Sequence, residues 1–159
     1  MPPATKRQTI GLVMIVKDEA DGLEETLRSV SRLTDQISII DTGSTDRTRE
    51  IALDLGALVG DSPFVDFAQA RNVALEVGFS VLSAQWLLML SGDDIAHGAP
   101  EIPDVPDGAL FVDRREGGVT YKQAMLAQRG AGWRAARCVH QDTEMWMEVL
   151  RVCASGDRQ

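Results

Sequence analysis

The chain up to Leu90 alternates short apolar runs with segments whose apolar residues recur at three- and four-residue spacing. The runs are Ile10–Val16, 37–40, 57–60 and Trp86–Leu90. Nearly continuous apolar runs of this length are typical of strands that are covered on both faces in a parallel sheet. The alternation predicts an α/β fold, a mostly parallel sheet flanked by helices, whose ligands bind beyond the carboxyl ends of the strands.

Three segments between the runs have the spacing of amphipathic helices. Their apolar members are Leu23, Leu27, Val30 and Leu33 in the first, Ile51, Ala52 and Leu55 in the second, and Phe67, Ala70, Ala74 and Val77 in the third. Ser44 or Thr45 is suited to cap the second helix. Gly56 and Gly78 stand where the second and third helices are expected to stop.

The pattern changes after Asp94. Pro100, Pro103 and Pro106 exclude a regular helix, and the apolar segments 110–113 and 119–125 flank Gly117 and Gly118, which predicts a loop followed by a hairpin. Apolar residues at helical spacing in segment 144–153 predict a closing helix. We therefore expect one domain over residues 1–153 and a flexible polar tail over residues 154–159.

Composition and charge narrow the classes of function. The 159 residues are 44% hydrophobic and carry a formal net charge of −8, so a broad basic surface for nucleic acid is excluded. No run approaches the roughly 20 apolar residues of a membrane span. The sequence shows no signal-peptide pattern, and Cys138 and Cys153 lie in no metal-binding spacing, which predicts a reduced, cytoplasmic protein.

The segment from Asp41 to Asp46 joins a predicted strand end to a helix start and contains hydroxyls, a glycine and two carboxylates. A carboxylate such as Asp41, with the hydroxyl of Ser44 beside it, can accept from a base or a ribose hydroxyl, and helix N-terminal amides favour phosphate. The cluster alone is equally compatible with a capped turn that contacts no ligand.

Asp93 and Asp94 follow the strand Trp86–Leu90 and therefore lie at the ligand edge of the sheet. Mg²⁺ and Mn²⁺ prefer oxygen ligands and commonly use one or two carboxylates together with substrate phosphates. An isolated Gly-Asp-Asp is more often an acidic turn on a solvated surface. Arg71, on the third predicted helix, could reach a diphosphate, although a surface arginine is the commoner explanation.

Two further positions could belong to the same site. His140 follows an apolar segment, and its imidazole could complete a metal site and shift the preference toward Mn²⁺. Trp133 could stack on a sugar face, but core packing is the commoner role of such a residue. His97 is assigned to the packed or surface histidines that have no such role.

Taken in order, these clusters resemble the family 2 glycosyltransferases, whose catalytic domain has the GT-A fold. The matching segments are 14–19, 41–46, Asp66-Phe67 with Ala70-Arg71-Asn72, 86–94 and Val139-His140. Together they cover most of the chain. The ordered set is much more specific than any one segment. Without a shared function, the capped turn, the acidic surface turn and the surface arginine would each have to occur independently in this order.

The resemblance implies roles for particular residues. Val16, Asp18, Asp41 and Ser44 would surround the base and ribose, with Ser91 and Gly92 on the same donor surface. Arg71 resembles the arginine that approaches the base and diphosphate. Asp93 resembles the last aspartate of an Asp-x-Asp motif, which holds the metal between the phosphates. His140 resembles the histidine of a Val-His-Glu element that makes a further metal or substrate contact.

The sequence also departs from the family pattern. Ser91 stands where the first aspartate of Asp-x-Asp is usual, and Gln141 stands where glutamate is frequent; an amide cannot act as a general base. Asp94, Asp142 and Glu144 are the remaining candidates for that base. The chain is also short after His140, which predicts a partner chain, a minimal acceptor site or lost activity.

The resemblance implies a metal-dependent enzyme that uses Mn²⁺ or Mg²⁺, takes a UDP-sugar as donor, and inverts the anomeric carbon. The acceptor stays open among a glycan, a lipid-linked sugar, a protein and a modified nucleic-acid base, and the apolar segment 144–153 is compatible with a homodimer. The alternative function is a non-catalytic nucleotide-binding or assembly module. A nucleotidyltransferase is the third and weaker alternative, because no glycine-rich phosphate loop follows the first strand.

Overall fold

The computed structural model describes residues 8–97, 102, 109–116, 119–131, 133–141 and 144–151. Within these residues, six strands form one sheet in the order β3-β2-β1-β4-β6-β5. They are β1 (Ile10–Val16), β2 (Ile37–Asp41), β3 (Leu58–Asp61), β4 (Trp86–Leu90), β5 (Ala109–Glu116) and β6 (Val119–Gln128). Strands β1 to β4 are parallel, and β6 runs antiparallel to both β4 and β5. The predicted, mostly parallel sheet is confirmed.

Helices α1 (Leu23–Val30), α2 (Thr48–Asp54) and α3 (Phe67–Val81) cover the two faces of this sheet. Alternate residues of β1 point to opposite faces, as the pleat of a strand requires. Leu12 packs in one core cluster with Leu23 and Ala52, from α1 and α2. Val13 packs in a second cluster with Ala74 and Leu75, from α3. Both faces are buried, which explains the unbroken apolar runs in the sequence.

The C-terminal part of the predicted fold is correct for its hairpin and wrong for its helix. The hairpin predicted around Gly117 and Gly118 is β5–β6. The segment predicted as a closing helix is instead strand β8 (Glu144–Arg151), which pairs antiparallel with β7 (Trp133–Gln141). A short apolar run fits the periodicity of a helix or of a strand, and Val and Trp favour strands. Backbone pairing with β7 therefore makes this segment a strand.

The homodimer was predicted partly from an apolar helix over residues 144–153. Because residues Glu144–Arg151 form a strand, that helix no longer supports a homodimer. The predicted tail over 154–159, Cys153 and Asp142 lie outside the described residues. Within the described ranges, no helix has the length and apolar character needed to cross a membrane.

The ends of α2 and α3 also differ from prediction. Helix α2 begins at Thr48, and neither Ser44 nor Thr45 caps it; the Asp46 carboxylate accepts from the Thr48 backbone N–H at 2.9 Å instead. The sequence placed the end of α3 at Gly78, but the helix continues to Val81. Gly78 is buried against β1, because a Cβ there would lie 2.4 Å from Val13 Cγ1. Close packing, not helix termination, accounts for this glycine.

Arg129 connects the end of α3 to the sheet. Its guanidinium donates to the carbonyl oxygens of Phe79, Leu82 and Ala84 at 2.6, 2.6 and 3.0 Å. These contacts supply donors to carbonyls near the helix C-terminus, where the helix itself offers none. The arginine thereby fixes the α3–β4 connection to the chain that follows β6.

Candidate functional site

The carboxyl ends of β1, β2 and β4 lie at one edge of the sheet. The register pairs Val16 with Asp41 and Met14 with Leu90, so the loops that follow these strands are neighbours. We call residues 17–22 the first loop, residues 42–47 the second loop and residues 91–94 the third loop. Most of the residues that the sequence predicts for donor binding lie in these loops or at the strand ends before them.

Asp41, the last residue of β2, is folded into its own turn. The residue is 5% exposed, and its Oδ1 accepts from the N–H of Gly43 and Ser44 at 3.1 and 2.9 Å and from Ser44 Oγ at 2.8 Å. Arg49 Nη1 lies 3.8 Å from Oδ2 and also forms an ion pair with Asp61. Gly43 has φ +112°, a backbone conformation that favours glycine. Asp41 therefore holds the shape of the second loop.

Asp18 joins the first loop to the second. Its backbone has φ 53°, and its Oδ1 accepts from Thr45 N at 2.7 Å and Thr45 Oγ1 at 3.2 Å. In return, the Asp18 N–H donates to Ser44 Oγ at 3.0 Å. Aspartate tolerates this left-handed conformation better than most residues, and the reciprocal hydrogen bonds stabilise it.

Further hydrogen bonds fasten the same two loops. The Glu19 N–H donates to Thr48 Oγ1 at 2.7 Å, and the Ala20 N–H donates to Asp46 Oδ2 at 3.1 Å. At the base of the loops, Thr42 N and Oγ1 both donate to the Val16 carbonyl oxygen, at 3.0 and 3.1 Å. The two loops therefore form one cross-linked unit.

The third loop is a tight turn that lies against the first. Asp94 Oδ2 accepts from Ser91 N at 2.8 Å, and Asp94 N donates to Ser91 O at 3.2 Å. Thr26 Oγ1, from α1, donates to Gly92 O at 2.9 Å. A Cβ at Gly92 would lie 2.7 Å from Glu19 Cγ, so only glycine fits there without displacing Glu19. Asp93 is exposed at the tip of this turn.

Glu19 is the site residue that the sequence analysis did not assign. Burial raises the pKa of its carboxyl, and the charges of Asp93 and then Asp46 raise it further. The carboxylates of the first, second and third loops thus lie within electrostatic range of one another. Its place in the sequence indicates this proximity, because Glu19 follows Lys17 and Asp18 in the loop directly after β1.

Replacing Glu19 with glutamine is expected to stabilise the ligand-free protein at neutral pH. A folded-state pKa above the unfolded value means that stability falls as the pH rises from the unfolded pKa through the folded one. The glutamine variant does not lose stability in this way. Its free energy of unfolding should therefore exceed that of the unmodified protein at pH 7, and the difference should shrink below pH ~4. Because solvent screens a partly exposed group, the gain should not exceed ~1 kcal/mol. Urea unfolding at both pH values measures it, and a variant less stable at pH 7 would contradict it.

Arg71 is a buried cation on α3. The residue is 5% exposed, and the guanidinium carbon lies 5.9 Å from the centre of the Phe67 ring. The first turn of the helix is capped by Asp66, whose Oδ1 accepts from Gln69 N at 2.7 Å. A buried guanidinium retains its charge, so Arg71 places a fixed positive charge on the helix that covers one face of the sheet.

His140 and Glu144 lie on the β7–β8 hairpin, where the backbone of His140 is opposite Met145 and that of Glu144 is opposite Gln141. Strand β7 contacts α3. The side chains of both residues lie outside the described part of the chain. His140 as a metal ligand, and Asp142 and Glu144 as bases, therefore stay predictions.

The side chains near Asp93 fit a metal ion that is shared with a ligand. Among the described residues, no group of three or more His, Cys, Asp or Glu side chains is arranged to hold a metal by itself. Mg²⁺ and Mn²⁺ commonly keep several waters and are held by one or two carboxylates and substrate phosphates. The exposed carboxylate of Asp93, at the tip of the third loop and near that of Glu19, can supply the protein's part of such a site.

The strand order, the flanking helices and the three polar loops at one edge define an α/β domain of the GT-A type. The family model "Glycosyl transferase family 2" matches residues 12–104, which include all three loops. The chain belongs to that family, and the predicted resemblance is confirmed.

Individual relatives are similar to this chain over part of their length. A TPR repeat-containing protein of Synechococcus elongatus is 38% identical over 113 residues, which are 67% of this chain and 27% of that protein. An uncharacterized glycosyltransferase of Rickettsia bellii is 29% identical over 85 residues, 54% of this chain and 28% of that protein. The chain thus spans little more than a quarter of these relatives.

Among solved structures, glucosyl-3-phosphoglycerate synthase from Mycobacterium tuberculosis in complex with uridine diphosphate is 27% identical to this chain. The match has a TM-score of 0.44 and covers 56% of this chain and 35% of that one.

Proposed function

We propose that this protein is a glycosyltransferase that moves a sugar from a UDP-sugar to an acceptor hydroxyl. The observation that carries the proposal is the cross-linked unit of the first and second loops beside an exposed Asp93, all at the carboxyl edge of a parallel sheet. Ligands of open α/β sheets bind at this edge. Membership of glycosyl transferase family 2 supports glycosyl transfer as the chemistry.

In this proposal the nucleoside lies against the first and second loops. Val16, Asp18, Asp41 and Ser44 shape that surface, with Val16 and Asp41 lying beneath it at 3% and 5% exposure, and Ser91 and Gly92 continue it toward the diphosphate. Asp41 and Asp18 already accept hydrogen bonds from loop amides and hydroxyls, so they act chiefly by fixing the loops. Because a carboxylate has about four acceptor positions, the exposed Asp18 can still accept from a base or a ribose hydroxyl. Arg71 supplies positive charge toward the diphosphate.

Asp93 is proposed to hold Mn²⁺ or Mg²⁺ together with the diphosphate, and His140 is proposed as a further ligand. A bound divalent ion would neutralise the negative charge that grows on the departing nucleoside diphosphate. Burial is the main cause of the raised pKa of Glu19, and the charges of Asp93 and Asp46 that raise it further also favour a cation at this position.

For transfer, the acceptor oxygen forms a bond to the anomeric carbon as the bond from that carbon to the diphosphate oxygen breaks. Attack from the face opposite the leaving group inverts the configuration. The acceptor proton passes to a carboxylate, for which Asp94, Asp142 and Glu144 are the candidates. Asp94 Oδ2 already accepts from Ser91 N at 2.8 Å, which fixes the carboxyl group in the third loop. We further propose that the reaction takes place in the reduced cytoplasm, because the chain has only two cysteines.

The second candidate function is a nucleotide-binding module without turnover. Two observations favour it: Ser91 replaces a motif carboxylate, and Asp94, which follows in the same turn, uses one oxygen to hold Ser91 N. Gln141 cannot replace a glutamate base. This module would use the same loops for nucleotide binding but would lack a group to take the acceptor proton.

Calorimetric titration of UDP in Mn²⁺ and in EDTA tests binding, and UDP release from a panel of UDP-sugars and acceptor classes tests turnover. We expect UDP to bind at least ~10-fold more tightly with Mn²⁺, since the ion is shared between Asp93 and the phosphates. We also expect UDP release that depends on an acceptor. Metal-dependent binding with no release across the panel would favour the module, and binding that ignores the metal would contradict the proposed site.

A further inference from the structure

Two threonines are completely buried beside the site, and each uses its hydroxyl to join two parts of it. Thr26, on α1, and Thr48, the first residue of α2, are both 0% exposed. Thr26 Oγ1 donates to the carbonyl of Gly92, in the third loop. Thr48 Oγ1 accepts from the N–H of Glu19, in the first loop, and donates to Asp46 Oδ1, in the second. Neither residue is part of the proposed donor contacts or the chemistry.

We propose that Thr48 and Thr26 are positioning residues for different halves of the donor: Thr48 sets the nucleoside pocket, and Thr26 sets the place of Asp93 at the diphosphate. This inference rests on the proposed function, since it assumes that a nucleoside diphosphate binds along the three loops. The two hydroxyls thus have separate roles: one fixes the loops that receive the nucleoside, and the other fixes the loop that carries Asp93.

Thr26 attaches the third loop to α1, and just beyond the loop the Ala96 N–H donates to Ser29 Oγ on the same helix at 3.0 Å. Gly92 is confined between α1 and the first loop: its carbonyl oxygen would lie 3.2 Å from a Cβ at Gly22, and Glu19 packs on its Cα. Without the hydroxyl, the buried Gly92 carbonyl loses its donor, which is unfavourable unless the loop moves toward water. Asp93 is the next residue, so such a movement displaces its carboxylate.

Thr48 acts on the first and second loops. Its hydroxyl is the acceptor for the Glu19 N–H, and Asp46 in turn accepts from Thr48 and from the Ala20 N–H. The nearby contacts of Asp18 with Ser44 and Thr45 are exposed to solvent and are therefore weaker constraints. Loss of the Thr48 hydroxyl should therefore loosen the surface that receives the base and ribose.

Valine replaces threonine with nearly the same shape and removes only the hydroxyl, so Thr26→Val and Thr48→Val test the proposal. UDP is titrated into each variant of the 159-residue chain in EDTA and in Mn²⁺. The affinity in EDTA reports the metal-independent contacts, and the ratio of the two dissociation constants reports the metal half of the site. Thermal unfolding without nucleotide is measured in parallel.

For Thr26→Val we expect UDP affinity in EDTA to stay within ~2-fold of the unmodified protein, while the gain from Mn²⁺ falls by ~10-fold, the effect of one buried hydrogen bond. For Thr48→Val we expect the affinity in EDTA to fall by ~5- to 10-fold, with the gain from Mn²⁺ retained. Thr26→Ser and Thr48→Ser keep the hydroxyl and should restore the original values.

The proposal is overturned if both valine variants change the two quantities in parallel and in proportion to their loss of melting temperature, since that pattern marks a merely structural role. It is also overturned if neither changes either quantity. If a valine variant does not fold, the alanine variant is compared with the serine variant instead, and thermal unfolding shows how much stability the lost methyl group costs. Failure of the proposed function looks different, because the unmodified protein would then bind no UDP or show no gain from Mn²⁺.

Discussion

Asp93→Asn is expected to abolish the gain in UDP affinity from Mn²⁺ and to slow sugar transfer by ~10²-fold or more, the usual scale for losing electrostatic stabilisation of a transition state. Asparagine keeps the shape of the side chain and removes its charge. Because Asp93 is exposed and its charge raises the pKa of Glu19, the substitution should not destabilise the ligand-free fold. The measurements are UDP calorimetry in Mn²⁺ and in EDTA, the rate of UDP release, and thermal unfolding.

Asp35→Asn is the matched control. Asp35 is an exposed aspartate that precedes β2, so it lies at the amino end of the parallel strands, away from the three loops. The control removes the same charge and should leave UDP affinity, metal dependence and transfer unchanged. If Asp93→Asn behaves like Asp35→Asn, the metal does not bind at the tip of the third loop and the proposed site is wrong.

Most of the sheet was predictable because both of its faces are buried. Strands β1 and β4 consist almost entirely of buried residues, so their sequences are continuous apolar runs that stand out from the helices between them. Once parallel strands alternate with helices, their carboxyl ends must share one edge. The neighbourhood of Asp18, Asp41 and Asp93 follows from topology alone.

The hydrogen bonds within the site were not predictable in the same way. The sequence indicates that Asp41 and Asp18 lie at strand ends, but not that their carboxylates turn toward loop amides. That outcome depends on the left-handed backbone at Asp18 and Gly43, which brings the Thr45 N–H to one carboxylate and the Ser44 N–H to the other. Glu19 was missed for a related reason, since its proximity to Asp93 depends on how closely Gly92 approaches the first loop.

The segment Glu144–Arg151 was assigned to the wrong element because local pattern does not determine it. Met145, Val149 and Leu150 satisfy the spacing of a helix, whereas the uninterrupted Met145-Trp146-Met147 also fits a strand. The neighbouring strand β7 provides backbone partners along the segment, from Glu144 opposite Gln141 to Arg151 opposite Trp133. The spacing of apolar residues within the segment does not contain this pairing with β7.

Gly78→Ala is expected to destabilise the fold by ~1–3 kcal/mol, the usual cost of overpacking a core. Helix propensity alone predicts the opposite sign, since alanine in a helix interior is favoured over glycine by ~1 kcal/mol. The contact decides the sign. A Cβ at this position would lie 2.4 Å from Val13 Cγ1 and 3.0 Å from Leu87 Cδ1, and Val13 is itself 0% exposed and unable to move aside.

The control for Gly78→Ala is Glu76→Ala, on the exposed face of the same helix, which should change stability by no more than ~0.5 kcal/mol. Urea unfolding measures both free energies. If Gly78 were a helix stop facing solvent, as its sequence position first indicates, alanine would be neutral or mildly stabilising. A neutral result would therefore place α3 farther from β1 than the structure has it. Because α3 also carries Arg71, the same result would remove the support for Arg71 beside the donor.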